Sequence, residues 1–292
     1  MRVSIRSTVL AASVVTATAL CGMAHASVLS ADVGKNLEFL QLDNAGTTVP
    51  VGASNAFFFA RAFYNSGAYD NGSVTFSSTT LPFNSIAFDC CGSTGGQYQT
   101  SFITKADMDA TFPTGVAYTL TLTKTGNPGA TTSLDVFLPD DLYAATPIPT
   151  FAGASVDSLN SLTPGQAITI GTGTFTPDPA ADAGQNFLSI YDLTSGMTIY
   201  SDFGSNTRSS WAVGSGIFQA GHSYEAQLIF DSLVAGSSGG VPTVGRDDLR
   251  TDLLFSLPGV VPEPTQWALM LMGFGLIGAA LRRPRALRAP TA

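Results

Sequence analysis

The sequence predicts a mainly β protein of two antiparallel β-sandwich domains, with an apolar leader helix before them and one membrane-spanning helix after them. Three observations predict it. Apolar residues alternate with Thr and Ser in run after run, as in "GVAYTLTLTKTG", "TSLDVFL", "QAITIGTGTFTP", "QNFLSIYDL" and "HSYEAQLIFDSL", and period two is the signature of a half-buried antiparallel strand. Between the runs lie turn clusters, "NSGAYDNGS", "KTGNPGATT", "LTPGQ" and "SDFGSNTRSS", at the spacing of a sandwich. The body's acids are 18 Asp against 2 Glu, and Asp favours turns and caps because its side chain competes for backbone hydrogen bonds.

Residues 1–26 read as a signal peptide. Arg2 and Arg6 precede an apolar stretch from about Thr8 to Met23, which reaches the A-x-A site Ala24, His25, Ala26, so cleavage is expected before Ser27. Leu20 and Thr18 occupy the positions where a lipoprotein needs a small and an aliphatic residue before Cys21, which argues against lipid attachment. The mature chain then keeps Cys90, Cys91 and His222.

The body divides at the Pro-containing stretch "PDDLYAATPIPTFAG", near Ala144, into residues 27–143 and 144–257, each of ordinary domain size. In Val116 to Thr125, Leu120 and Leu122 face one way, and Thr119, Thr121, Thr123 and Thr125 the other. The second half reads as a turn at Pro164 and Gly165, a strand, the hairpin "SIYDLTSGMTIYSD" turning at Thr194, Ser195 and Gly196, a strand near "WAVGSGIF", and a last strand in "QAGHSYEAQLIF". The only helix of any length expected is the terminal one.

Charge excludes whole classes of function. Residues 27–262 hold 7 Lys plus Arg against 20 Asp plus Glu, a net charge of −13, and such a body repels nucleic acid. No catalytic residue is assigned. His222 is the one general base a Ser-His-Asp arrangement has available, and it sits in the turn "AGHSY"; one His with two adjacent Cys does not supply spaced zinc ligands either. Neither a metal nor another cofactor is expected. Cys90 and Cys91 are adjacent, and a disulfide between them would be strained, readable as a stiff ring in a loop or as a redox switch. The Asp pairs 107/109, 140/141, 178/182 and 247/248 read as loop residues, solvated turns or calcium ligands without EF-hand spacing. Trp211 beside Arg208 is either core or a sugar-stacking platform, and the Thr repeats are an exposed strand face or an ice-binding one.

Two stretches of the body, "ADMDATFPTGVAYTLTLT" and "SGIFQAGHSYEAQLIF", resemble the turn-then-strand phrases of secreted bacterial immunoglobulin-like or fibronectin-like domains. The resemblance implies a fold and no activity. The ending is more specific: Pro262, Glu263 and Pro264, then Trp267 and Ala268, an apolar Gly-rich stretch, and Arg282, Arg283, Arg285 and Arg288. This resembles the PEP-CTERM sorting signal of Gram-negative bacteria. The resemblance implies recognition by an exosortase-type processing enzyme and association with exopolysaccharide, biofilm or the cell surface.

The physics of that ending agrees with a transient anchor. Residues 258–264 form a linker with the motif, 265–283 the spanning helix, and 284–292 a basic cytoplasmic tail. The 15 uncharged residues from Trp267 to Leu281 give about 22 Å of helix, short of a ~30 Å hydrocarbon core. Four Arg beyond it hold the C-terminus inside. Two prolines keep the triplet extended, the form an enzyme groove reads. The expected protein is therefore exported, held briefly in the inner membrane, and passed to the surface or matrix as a structural or adhesive component. The alternative is a carbohydrate-binding module.

Overall fold

The structure, a computed structural model of the whole chain, describes residues 28–65, 71–76, 85–87, 90–92, 94–124, 127–143, 146–259 and 272. The expected signal peptide and, apart from Met272, the expected C-terminal helix lie outside these. Among the described residues no helix is long and apolar enough to cross a membrane.

In chain order the elements are β1 (Val28–Gln41), β2 (Thr48–Pro50), β3 (Ala56–Tyr64), β4 (Asn71–Phe76), β5 (Ser85–Ala87), β6 (Cys90–Gly92) and β7 (Gly95–Phe102). Then come α1 (Lys105–Thr111), β8 (Val116–Lys124), β9 (Asn127–Leu138), α2 (Gly153–Asn160), β10 (Ile168–Gly171) and β11 (Ala183–Asp192). The chain closes with β12 (Met197–Ser205), β13 (Ser210–Val213), β14 (Ser223–Ser238) and β15 (Val241–Ser256). One nine-stranded sheet runs β12-β11-β14-β15-β1-β3-β7-β6, with β2 extending the β3 side of β1. A four-stranded sheet, β5-β4-β8-β9, and a two-stranded ribbon, β10-β13, complete the β structure.

Both hydrophobic cores of the described residues lie on one face of the large sheet. Over its first part, Ala31 and Val33 of β1 and Phe58, Ala60 and Ala62 of β3 meet Tyr118, Leu120 and Leu122 of β8 and Leu134, Val136 and Leu138 of β9. The alternation read from the sequence does this, with Thr119, Thr121 and Thr123 left half-exposed on the other side of β8. Over the second part, Leu188, Ile190, Leu228, Phe230 and Phe255 meet Ile170, Trp211 and Val213 of the ribbon and Val156 and Leu159 of α2. Each fully buried side chain of this size stabilises the fold by ~1.5–3 kcal/mol.

Two closed sandwiches joined at 143/144 are not what the pairing shows. β1 and β15 lie side by side from Ala31↔Thr243 to Leu40↔Asp252, so a single hydrogen-bonded layer crosses from the first half to the second. The first core draws on residues 28–138, with Val241 packed against it, and the second on residues 151–257. This pair is also parallel, whereas an antiparallel fold was expected throughout. The sequence hides it because parallel partners joined through the entire body leave no hairpin signal. Close approach fixes two glycines here. A Cβ on Gly34 would overlap the Phe59 ring and the Arg246 carbonyl, and one on Gly245 would overlap the Phe137 carbonyl where β9 passes β15.

Two short helices were not expected. α1 starts at Thr104, whose hydroxyl accepts from the Asp107 N–H at 3.1 Å and donates to its carboxylate at 2.7 Å. It has 7 residues and buries only Met108, too little for periodicity to register. α2, with 8 residues, follows the Pro-rich linker and is anchored by Ser155, whose hydroxyl accepts from the Gly171 N–H at 2.7 Å.

Candidate functional site

The end of the body from which the tail departs is firmly built. Leu257 N–H donates to the His222 carbonyl at 3.0 Å, and Gly221 N–H reaches the carbonyls of Leu257 and Pro258 at 3.2 and 3.3 Å. The chain is thus tied to the sheet until Pro258, and Gly259 is the last described residue before the tail. Pro262, Glu263, Pro264, Trp267, Ala268 and Arg282, Arg283, Arg285 and Arg288 lie outside the described residues. At most ~11 Å of extended chain separates Gly259 from Pro262.

His222 belongs to the same end. Its Nδ1 lies 2.7 Å from Asp192 Oδ2, and the other Asp192 oxygen accepts from the N–H groups of Thr194 and Ser195 at 2.9 and 3.1 Å. Thr194 Oγ1 in turn accepts from the Ser223 N–H at 3.0 Å. Asp192 thereby closes the β11–β12 turn and pins the β14 start to it, which is the turn role read for "AGHSY".

Trp211 is fully buried in the second core, and its Nε1–H donates to Thr172 Oγ1 at 3.2 Å. The Arg208 guanidinium lies 3.8 Å from the centre of its ring and donates to Asp202 at 2.7 Å and to the Phe203 carbonyl at 2.6 Å. A ring so covered offers no face to a sugar. On the outer face of β8 and β9, Thr119 donates to Asp135 at 2.6 Å and Thr121 shares a hydrogen bond with Ser133 at 3.1 Å, so both hydroxyls are engaged across the strand pair.

Cys90 and Cys91 are consecutive residues of β6, opposite Gln97 and Gly96 of β7, at the rim of the large sheet. A loop was expected for them and the backbone is a strand. Of the four Asp pairs, 140/141 lies in the linker and 107/109 on α1. Asp178 accepts from the Ala180 N–H at 2.9 Å, a local turn bond, and Asp182, just before β11, accepts from the Ala235 N–H of β14 at 2.9 Å. Among the described residues no group of three or more His, Cys, Asp or Glu is arranged to hold a metal ion.

Asp247 and Asp248 correct the loop reading most sharply, for both are buried in the middle of β15. "RDDLRTD" alternates by charge: Arg246, Asp248, Arg250 and Asp252 share one face of the sheet, and Asp247, Leu249 and Thr251 the other. On the face away from the cores, Arg246 reaches Asp231 at 3.4 Å, Asp248 at 3.5 Å and Asp32 at 3.6 Å, while Arg61 grips Asp32 at 2.7 Å. Phe59 lies between the two guanidinium groups, 4.3 Å from one and 4.9 Å from the other. Further along, Arg250 bonds Asp252, Glu225 and Glu38 at 2.6, 2.8 and 2.9 Å. On the core face Asp247 accepts from the Leu142 N–H at 2.8 Å, fixing the linker over the seam, and the buried Lys35 pairs with Asp109 of α1.

Acids outnumber bases in this strip, and burial decides their protonation. Desolvation pushes Asp247 and Asp252 up to about 7. Asp231 and Asp248 sit directly opposite one another in the β14–β15 register, and burial followed by mutual repulsion lifts the Asp231 carboxyl well above the carboxylate range. The strip is a proton-holding clasp between the central strands. Its signal in the sequence is a period of two in charge rather than in hydrophobicity.

Solved structures similar to the chain are remote. A two-domain fibronectin type-III segment of chicken tenascin is 12% identical, with 64% of this chain and 90% of that one covered and a TM-score of 0.22. The BSP domain of a biofilm associated protein is 11% identical (82% of this chain, 30% of that chain, TM-score 0.20). The FN1–FN3 domains of chicken CNTN1 are 10% identical (77% and 64%, TM-score 0.23). No curated protein matches the chain. Residues 260–285, where Pro262 to Pro264, Trp267 and the first three tail arginines stand, match the PEP-CTERM protein-sorting motif, so the chain carries that sorting signal.

Proposed function

We propose that the protein is a non-enzymatic cargo of a PEP-CTERM sorting route in a Gram-negative bacterium, a structural or adhesive component delivered to the cell surface or the exopolysaccharide matrix of a biofilm. The sorting motif at residues 260–285 carries this reading, because it implies export and processing at the membrane by an exosortase-type enzyme. The roles follow from the chemistry of the residues. Pro262, Glu263 and Pro264 present an extended triplet outside the membrane, Trp267 and Ala268 begin the apolar segment, and Arg282, Arg283, Arg285 and Arg288 stop its passage. What supports the absence of catalysis is that His222 and Asp192 are engaged in a turn, and that Asp231, Asp248, Glu225 and Asp252 pair with Arg246 and Arg250.

A glycan-specific module is the poorer reading, since the aromatic side chain nominated for it is buried. The test is membrane fractionation with mass analysis of both termini in a host that holds the processing enzyme. The surface form is expected to begin at Ser27 and to lack the arginine-rich tail. An extracellular form ending at Ala292 would refute the processing step.

A further inference from the structure

The pairing of first and last strands also sets how the body meets the membrane, an inference that rests on the sorting reading above. Because β15 runs parallel to β1 and antiparallel to β14, the ends of β1, β11 and β15 and the starts of β12 and β14 gather at one end of the sheet. The tail leaves from the middle of that end, between β14 and β1. The β14–β15 turn at 239–240 lies at the other end, roughly 50 Å away at 3.3 Å per strand residue.

Four large apolar side chains are exposed at the tail-bearing end, among polar neighbours that include Asn44, Thr194, Ser195 and Ser256. Leu42, just after β1, is 57% exposed; Leu193, in the β11–β12 turn, 49%; Met197, opening β12, 61%; and Leu254, near the close of β15, 53%. In the opposite half Leu29 of β1 is 53% exposed and Phe137 of β9, whose carbonyl meets Gly245, is 48% exposed. Leu42, Leu193 and Met197 thus stand along the strand ends on both sides of the tail, which has at most ~11 Å of chain before its processing triplet. Exposed apolar tips held that close to a spanning segment have one surface within reach.

We infer that Leu42, Leu193, Met197 and Leu254 form a lipid-contacting rim that seats the body end-on on the bilayer its tail enters. The lipid is zwitterionic with an ammonium headgroup, because Asp157 stands exposed and Asp43 half-buried beside this end, with no Lys or Arg among the residues 40–46, 151–160, 192–197 and 254–259. A phosphatidylethanolamine surface complements those carboxylates, and an anionic one repels both them and a body of 20 acids against 7 bases. Seating the body this way stands the processing triplet beneath the sheet end, and places the β14–β15 turn and the mature N-terminus away from the membrane.

The test is hydrogen exchange, read by mass spectrometry, on the unprocessed full chain in nanodiscs of phosphatidylethanolamine and phosphatidylcholine, compared with the triple variant Leu42→Ser, Leu193→Ser, Met197→Ser. Amides of 42–47 and 193–197 are expected to be protected in the native chain and to lose that protection in the variant, with 238–241 exchanging equally fast in both. Adding phosphatidylglycerol at low salt should also lose it, and added salt should restore it. Slow exchange along β14 and β15 shows that the variant has folded; if it has not, Leu42→Ser alone takes its place. Equal exchange of the two loops in native and variant chains, both retained in the discs, would overturn the rim and leave the sorting reading standing. A native chain that does not stay with the discs would overturn the membrane reading as well.

Discussion

The body and the tail of this chain store information in opposite ways. In the body, fold and stability are spread over some 230 residues, many of them replaceable by any apolar or hydroxyl residue of similar size, and the sheet tolerates that redundancy because packing is shared. In the tail, a few residues in a 26-residue window carry the address, and the match at 260–285 is legible without any fold. Changes to one part should therefore leave the other's function alone. The difference teaches that sequence specificity and structural mass need not coincide: here the larger part is cargo.

The comparison can be broken from either side. Changing Pro262, Glu263 and Pro264 together to Ala should have the largest effect on fate, abolishing processing while membrane insertion and the melting temperature of the body stay unchanged; immunoblots of fractions and calorimetry read the two. On the body's side, Arg246→Ala strands Asp231 and Asp248 while Asp32 keeps Arg61, and loss of one partner from a buried ion network costs about 3–5 kcal/mol in urea unfolding. Trp211→Ala should cost a similar ~3–5 kcal/mol, through an emptied core site and an orphaned Thr172 hydroxyl. Neither variant should alter processing of the molecules that do fold. Thr119→Val, on the exposed strand face, should change stability by less than about 0.5 kcal/mol.

The buried carboxylates make a further prediction about the body alone. In the unfolded chain Asp ionises near 3.9, whereas Asp247 and Asp252 are pushed up to about 7 and Asp231 and Asp248 are shifted the same way. Between about pH 4 and pH 7 the folded state binds more protons than the unfolded one, so stability falls as pH rises through that window. Asp109, which its salt bridges to Lys105 and Lys35 hold below the usual range despite partial burial, contributes in the other sense and loses that contribution under about pH 4. Calorimetry should show a melting temperature that peaks in mildly acid buffer and declines towards pH 8. A rise from pH 5 to pH 8 would contradict the proton-holding clasp.

The legibility of each feature depends on the physics of its signal. Leu120, Leu122 and the β11–β12 turn announced themselves, because hydrophobic alternation and a Gly-containing turn are local. The β1–β15 pair did not, since its partners are about 210 residues apart and nothing in either strand names the other. Asp247 and Asp248 give no local sign of burial, because a charged run is cheapest in water and its burial becomes tolerable only once Arg61, Asp32 and Glu38 arrive from β1 and β3. α1 and α2 are too short to show a period. The sorting motif at 260–285 is legible in the sequence, since its match depends on residue identity rather than on tertiary contacts.

The central claim, that the tail alone directs this protein's sorting, has one direct measurement. Residues 259–292 are fused behind a signal peptide and an unrelated soluble domain, and the mass of the C-terminus is determined in a host with the processing enzyme. The fusion is expected at the inner membrane and then at the surface, shortened near Pro264, at the rate of the native chain. A fusion that inserts and keeps its tail, while the native chain beside it is cut, would show that the body takes part in recognition and would contradict the account.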